Sequence, residues 1–84
     1  MRELTFSKEA AKVLRRIPRN VADTIWSKLH QYAEAPKSLA NNVKALKGDV
    51  SLLRLRVGDW RVIFTDDGRV VAVTKIAPRG SAYD

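Results

Sequence analysis

The chain has 84 residues, 45% of them hydrophobic and 30% charged, which fits one small globular domain, residues 1–84, and leaves no room for a second. Sixteen lysines and arginines against nine aspartates and glutamates give a net charge of +7, so a polyanion or an acidic protein is the first partner to consider. The absence of cysteine excludes a disulfide framework, a thiolate metal site and a cysteine nucleophile, and no apolar run approaches the roughly 20 residues of a membrane span.

The opening MRELTFSKEAAK lacks a secretory apolar core, which makes the cytoplasm the expected compartment. Leu4 and Phe6 alternate with Glu3 and Thr5 and predict a short strand. Ser7 fits the N-cap of a helix that runs to about Ile17, because Ala10, Val13, Leu14 and Ile17 recur at helical spacing. Pro18 ends it. Asn20 reads as a second N-cap, with Asp23 near the positive end of the next helix dipole. Val21, Ala22, Ile25, Leu29 and Tyr32 continue an apolar stripe to about Ala35, and Pro36 marks the exit. Trp26 is assigned to the core, or to an interface if it falls off that stripe. Residues 36–49 read as a structured loop with Leu39, Val43 and Leu46 tucked beneath it.

The period then changes to two. Leu53, Leu55 and Val57 alternate with Arg54 and Arg56, and Gly58-Asp59 signals a turn. Trp60 to Thr65 forms the next strand, Asp66-Asp67-Gly68-Arg69 a second turn, and Val70 to Ala77 the last strand. The order is β-α-α-β-β-β: an α+β fold, with an N-terminal strand and a helical hairpin packed on a small antiparallel sheet. The opposite sheet face is then open to solvent or to a ligand.

The basic residues are built into these elements, since no block of five like charges occurs. Residues two apart in a strand share a face. Arg54 and Arg56 therefore point away from Leu53, Leu55 and Val57, and Arg61 away from Trp60, Val62 and Phe64. Lys75 shares a parity with Ala77, which Arg79 joins if the extended geometry continues through Pro78. Such a face suits an RNA backbone, because guanidinium forks match phosphate oxygens and the field concentrates polyanions. Tyr83 can lay its ring on a base or aim its hydroxyl at a phosphate. The plainer reading is that these cations keep the wet side of a sheet soluble and discourage edge pairing.

Other chemistry has little support. His30 reads as a solvated or packing residue, Asp66 and Asp67 as turn formers, and Ser51 and Ser81 have no histidine partner. Glycines are too sparse for a phosphate-cradling loop. No metal and no cofactor is expected.

Ala45-Leu46-Lys47-Gly48, the run from Leu53 to Phe64 (LRLRVGDWRVIF) and Pro78-Arg79-Gly80-Ser81-Ala82-Tyr83 together resemble the RelE/ParE superfamily, the small basic toxins of bacterial type II toxin–antitoxin pairs. The resemblance spans nearly the whole chain. It implies either of two activities: a RelE-like, ribosome-dependent endoribonuclease that cuts mRNA in the A site, or a ParE-like, non-nucleolytic toxin that poisons DNA gyrase. A degenerate toxin that only binds antitoxin is a third outcome. For the nuclease, the resemblance makes Arg61 the contact to the scissile phosphate, Arg79 the group that assists the leaving oxygen, and Tyr83 the residue that orients the nucleotide. Arg54 stands where such nucleases often carry a lysine that activates the 2′-hydroxyl, and Pro78 where many carry histidine. A guanidinium stays protonated, so these two departures leave the general base unassigned. Arg56, Lys75 and Lys47 are grouped as RNA-binding cations. The implied partners are a cognate antitoxin, the 70S ribosome with its mRNA, and operator DNA through the antitoxin, with no membrane.

Overall fold

The computed structural model describes residues 1–39, 41–46 and 49–78. Strand β1, Glu3–Phe6, turns Leu4 and Phe6 toward the core and leads into helix α1, Lys8–Arg16. Ser7 caps that helix as its sequence predicts: its Oγ accepts the Ala10 amide at 3.0 Å. Ile17, forced out of helical geometry by Pro18, is extended at φ −74° and ψ 163°. Helix α2, Arg19–Glu34, follows at once.

The predicted Asn20 cap is corrected by the structure. Pro18 occupies the capping position, with the Val21 and Ala22 amides bonded to its carbonyl, because its fixed φ already suits the start of a helix. Asn20 lies inside the first turn, where its carbonyl accepts the Thr24 hydroxyl, and Asp23 falls beyond that turn. The buried side of α2 is Ile25, Leu29, Tyr32 and Ala33. Trp26 sits one position off that stripe and is not core: it is 44% exposed and stacks on Phe6 at 5.6 Å. His30 packs against Trp26 at 4.6 Å, as a packing histidine should.

A 3-10 turn at Pro36–Leu39 buries Leu39 and leads to β2, Val43–Leu46. This strand stands where a loop was predicted, and it gives the sheet five strands rather than four. The sequence signal there is only four residues long; β2 is defined by its antiparallel pairing with β3, Asp49–Val57, and forms the edge of the sheet. Strands β4, Trp60–Asp66, and β5, Val70–Pro78, complete the order β1-β5-β4-β3-β2. All pairings are antiparallel except β1 with β5, which is parallel. Gly58 at φ 57° and Gly68 at φ 91° supply the left-handed backbone that the two hairpin turns require.

Both helices pack on one face of the sheet. Ala10, Ile25, Leu29 and Tyr32 meet Leu55, Val57, Val62, Phe64, Val71, Val73 and Ile76, with Trp60 half-buried at the edge of this core. Asp66 ties three elements together: its Oδ1 accepts Arg2 Nε at 2.7 Å and the Gly68 amide at 2.9 Å, and its Oδ2 accepts the Tyr32 hydroxyl at 2.8 Å. The two aspartates therefore do act in the turn, since Asp67 Oδ1 likewise accepts the amides of Arg69 and Val70.

Burial and the hydrogen bond to Asp66 push the Tyr32 phenol up to about 12. At Asp66, burial opposes the charge, but the Gly68 amide, Tyr32 and Arg2 outweigh it and hold the carboxyl below its ordinary range. The two signs are opposite. Asp66 contributes stability above its unfolded value of about 3.9, and this is lost as pH falls below that. Tyr32 contributes stability below about 10, and this is lost as pH climbs toward its folded value. Urea unfolding should therefore show stability falling at both extremes. Asp66→Asn should lower stability at neutral pH by about 1–3 kcal/mol and flatten the acid limb.

Candidate nucleic-acid interface

Pairing register, rather than sequence spacing, sets the geometry of the sheet face opposite the helices. Lys44 on β2 stands opposite Arg54 on β3, Arg54 opposite Ile63 on β4, and Ile63 opposite Lys75 on β5. The next row is Arg56, Arg61 and Ala77. Directly paired residues point to the same side of a sheet, so five cations share this face and neither row contains a carboxylate. Neighbouring strands lie about 4.8 Å apart, which puts the backbones of Arg54 and Lys75 roughly 10 Å from each other.

Lys75 reaches this face through a bulge. Phe64 pairs with Val73 and Ile63 with Lys75, so Thr74 is an extra residue in β5. Its hydroxyl donates to the Ile63 carbonyl at 3.2 Å. Val71 and Val73 lie in the main core. Without the extra residue, strand parity would send Lys75 and Ala77 into that core and turn Ile76 outward. The bulge reverses this: Ile76 is buried against the helices, while Ala77 packs with Ile63 and Leu52 in a small second cluster on the other side.

That second cluster corrects the expectation of an open face. Ile63 and Ala77 are buried, and Arg61 between them in the pattern is only 7% exposed. Its Nη1 donates to the Trp60 carbonyl at 3.2 Å, while its buried Nε has no acceptor among the described residues. Arg54 and Lys75 are half-buried, and Arg56 and Lys44 are exposed. Sequence reasoning missed Lys44, because it did not recognise β2; a Val-Lys-Ala alternation was the available signal. Arg79, Tyr83 and Lys47 lie outside the described residues.

The site is a surface rather than a pocket. One cavity of about 270 Å³ opens between α2 and the β3–β4 turn, lined by Val21, Thr24, Val57, Gly58, Asp59 and Trp60, and contains none of these cations. Among the described residues no group of three or more histidines and carboxylates can hold a metal ion, and no helix is long and apolar enough to cross a membrane.

Comparison with solved structures places this architecture. A chain of the archaeal RelE–RelB complex from Pyrococcus horikoshii OT3 superposes with a TM-score of 0.77 at 26% identity, covering 96% of this chain and 98% of that one. The isolated E. coli RelE toxin gives 0.78 at 21% identity, covering 99% and 89%. The RelB–RelE complex from Methanococcus jannaschii gives 0.76 at 23% identity, covering 95% of each. Comparison with the curated proteins gives no match. The fold is thus that of the RelE toxins. Residues 4–83 match the sequence model of the ParE toxin of type II toxin–antitoxin systems, parDE, and the chain belongs to that family, within the RelE/ParE superfamily, as the toxin of a type II module.

A buried guanidinium nitrogen with no acceptor among the described residues is a desolvation cost that folding alone does not require. Arg61→Met should therefore leave the fold intact and raise stability by about 1 kcal/mol, or roughly 4–8 °C in Tm for a domain of this size. Thermal unfolding followed by circular dichroism reads this directly. A lower Tm would mean that the guanidinium is satisfied where it sits.

Proposed function

We propose that this toxin is a ribosome-dependent mRNA endoribonuclease, and the observation that carries the reading is Arg61: buried, without an acceptor at Nε among the described residues, and flanked on the same face by Arg54, Arg56 and Lys75. A phosphate is the group that such an arrangement lacks, because its oxygens accept from guanidinium forks in pairs. In this mechanism the 2′-oxygen of one nucleotide attacks the adjacent phosphorus, and the bond to the 5′-oxygen of the next breaks. The products are a 2′,3′-cyclic phosphate and a free 5′-hydroxyl. Arg61 and Arg54 neutralise the charge that builds on the phosphorane. Following the resemblance, Arg79 assists the departing oxygen and Tyr83 orients the nucleotide, with Arg56 and Lys47 binding the flanking backbone. The ribosome contributes by holding the mRNA near the attack geometry, which suits a site with so few groups.

The toxin works in the cytoplasm and is neutralised by a cognate antitoxin with an acidic, partly disordered segment that folds against it. The solved relatives in which RelE is complexed with RelB support that partner. Operator DNA is engaged through the antitoxin. The family match itself favours a second reading, since the matching description is that of ParE toxins. In that reading the protein inhibits gyrase without cutting RNA, and the arginines seat the antitoxin.

Primer extension on an mRNA translated in a purified bacterial system separates the two. New 5′ ends at codon positions, present only with ribosomes and reduced about 100-fold or more by Arg61→Ala, are the expected result. Intact mRNA together with blocked gyrase supercoiling would establish the second reading instead.

A further inference from the structure

The sheet face holds three arginines and two lysines among its described residues, and of these only a lysine amine can serve as a base, since a guanidinium stays protonated. A 2′-hydroxyl must lose its proton as it attacks, so a nuclease built on this face needs one of those two, or a group beyond it. Lys44 is exposed on the edge strand β2, two strands away from Arg61. Lys75 is half-buried on the strand beside Arg61 and diagonal to it, because Arg61 pairs with Ala77 and Ile63 with Lys75. Arg54 is diagonal to Arg61 from the other side, since Arg56 is Arg61's direct partner. One buried arginine thus lies between a guanidinium on β3 and a lysine amine on β5. The Thr74 bulge is what makes this arrangement, and bulges that re-aim a side chain recur beside active sites.

We infer that Lys75 is the general base of this toxin, taking over the proton transfer that Arg54 cannot perform. The inference rests on the nuclease reading above. The neutral Lys75 amine accepts the proton of the 2′-hydroxyl as the oxygen forms its bond to phosphorus. The 5′-oxygen leaves with the bonding pair, stabilised by a guanidinium, and takes a proton from water. Lys75 then releases its proton to solvent, so the transesterification balances without any other reactant. Among the described residues, the charged groups on the same face as Lys75 are Arg61 on β4 and, beyond it, Arg54 and Arg56 on β3 and Lys44 on β2. Glu3 of the neighbouring β1 pairs with Val70, at the far end of β5.

Single-turnover cleavage on programmed ribosomes tests this across about pH 6–9, with Lys75→Arg and Lys75→Ala beside the wild type. Lys75→Arg puts a permanently protonated group of similar reach there and should keep ribosome binding, yet lose about 100-fold or more in cleavage rate. The wild-type rate should rise with pH, because only the neutral amine accepts a proton. An added small primary amine should restore part of the cleavage to Lys75→Ala, a result that a purely structural lysine does not give. Wild-type cleavage matched within a few-fold by Lys75→Arg overturns this assignment while leaving the nuclease standing. So does loss of cleavage in Lys44→Arg with none in Lys75→Arg. A wild type that binds ribosomes and cuts no RNA removes the nuclease reading, and this inference with it.

Discussion

Ser7 and the Thr74 bulge form one junction, and most of the structure is arranged around it. The Ser7 amide donates to the Val73 carbonyl at 2.8 Å, and its hydroxyl donates to the Thr74 carbonyl at 2.9 Å. The same hydroxyl oxygen accepts the Ala10 amide that starts α1. Thr74 in turn bonds across to β4 at Ile63. A helix start, a parallel strand pairing and the extra residue of β5 are therefore held at a single point. The constraint behind it is that β5 must bury Val71, Val73 and Ile76 on one side and present Lys75 on the other. Unbroken period-two geometry cannot do both. One extra residue can, provided its freed backbone groups find partners, and Ser7 and the Thr74 side chain meet that need.

The far end of β5 is anchored by the Asp66 cluster, where Arg2, Tyr32 and the Gly68 amide converge on one carboxylate. That carboxylate joins the chain before β1, helix α2 and the β4–β5 turn at one point. Between the two anchors the sheet carries Arg61, whose burial works against folding. Local sequence and global fold agree almost everywhere else, and functional surfaces are where such agreement fails. The rigid anchors above and below let the sheet tolerate this cost, and they hold the cations in register over a short distance.

Much of the fold was legible because its signals are local. Ser7, Ala10, Val13 and Leu14 specify α1, and Leu53 to Val57 alternate cleanly enough to assign Arg54 and Arg56 to one face. The failures have physical causes. β2 was hidden because a four-residue strand takes its identity from its neighbour. Asn20 reads as a cap on side-chain chemistry, whereas the backbone geometry of Pro18 decided the start of α2. For Trp26 the sequence left core and interface open, and its position one residue from the stripe Ile25–Leu29–Tyr32 leaves it stacked on Phe6 at the surface.

By itself the sequence determined the element types outside residues 36–49, the two turns, the outward parity of Arg54, Arg56 and Arg61, and a family resemblance that the match over residues 4–83 supports. The tertiary structure alone decided that β1 joins β5 in parallel, that Lys44 and Lys75 share a row with Arg54, and that Arg61 is buried. Periodicity is a property of neighbours in the chain, so sequence carries it. Register and burial arise from contacts between residues dozens of positions apart, and a single bulge can invert the face that periodicity assigns.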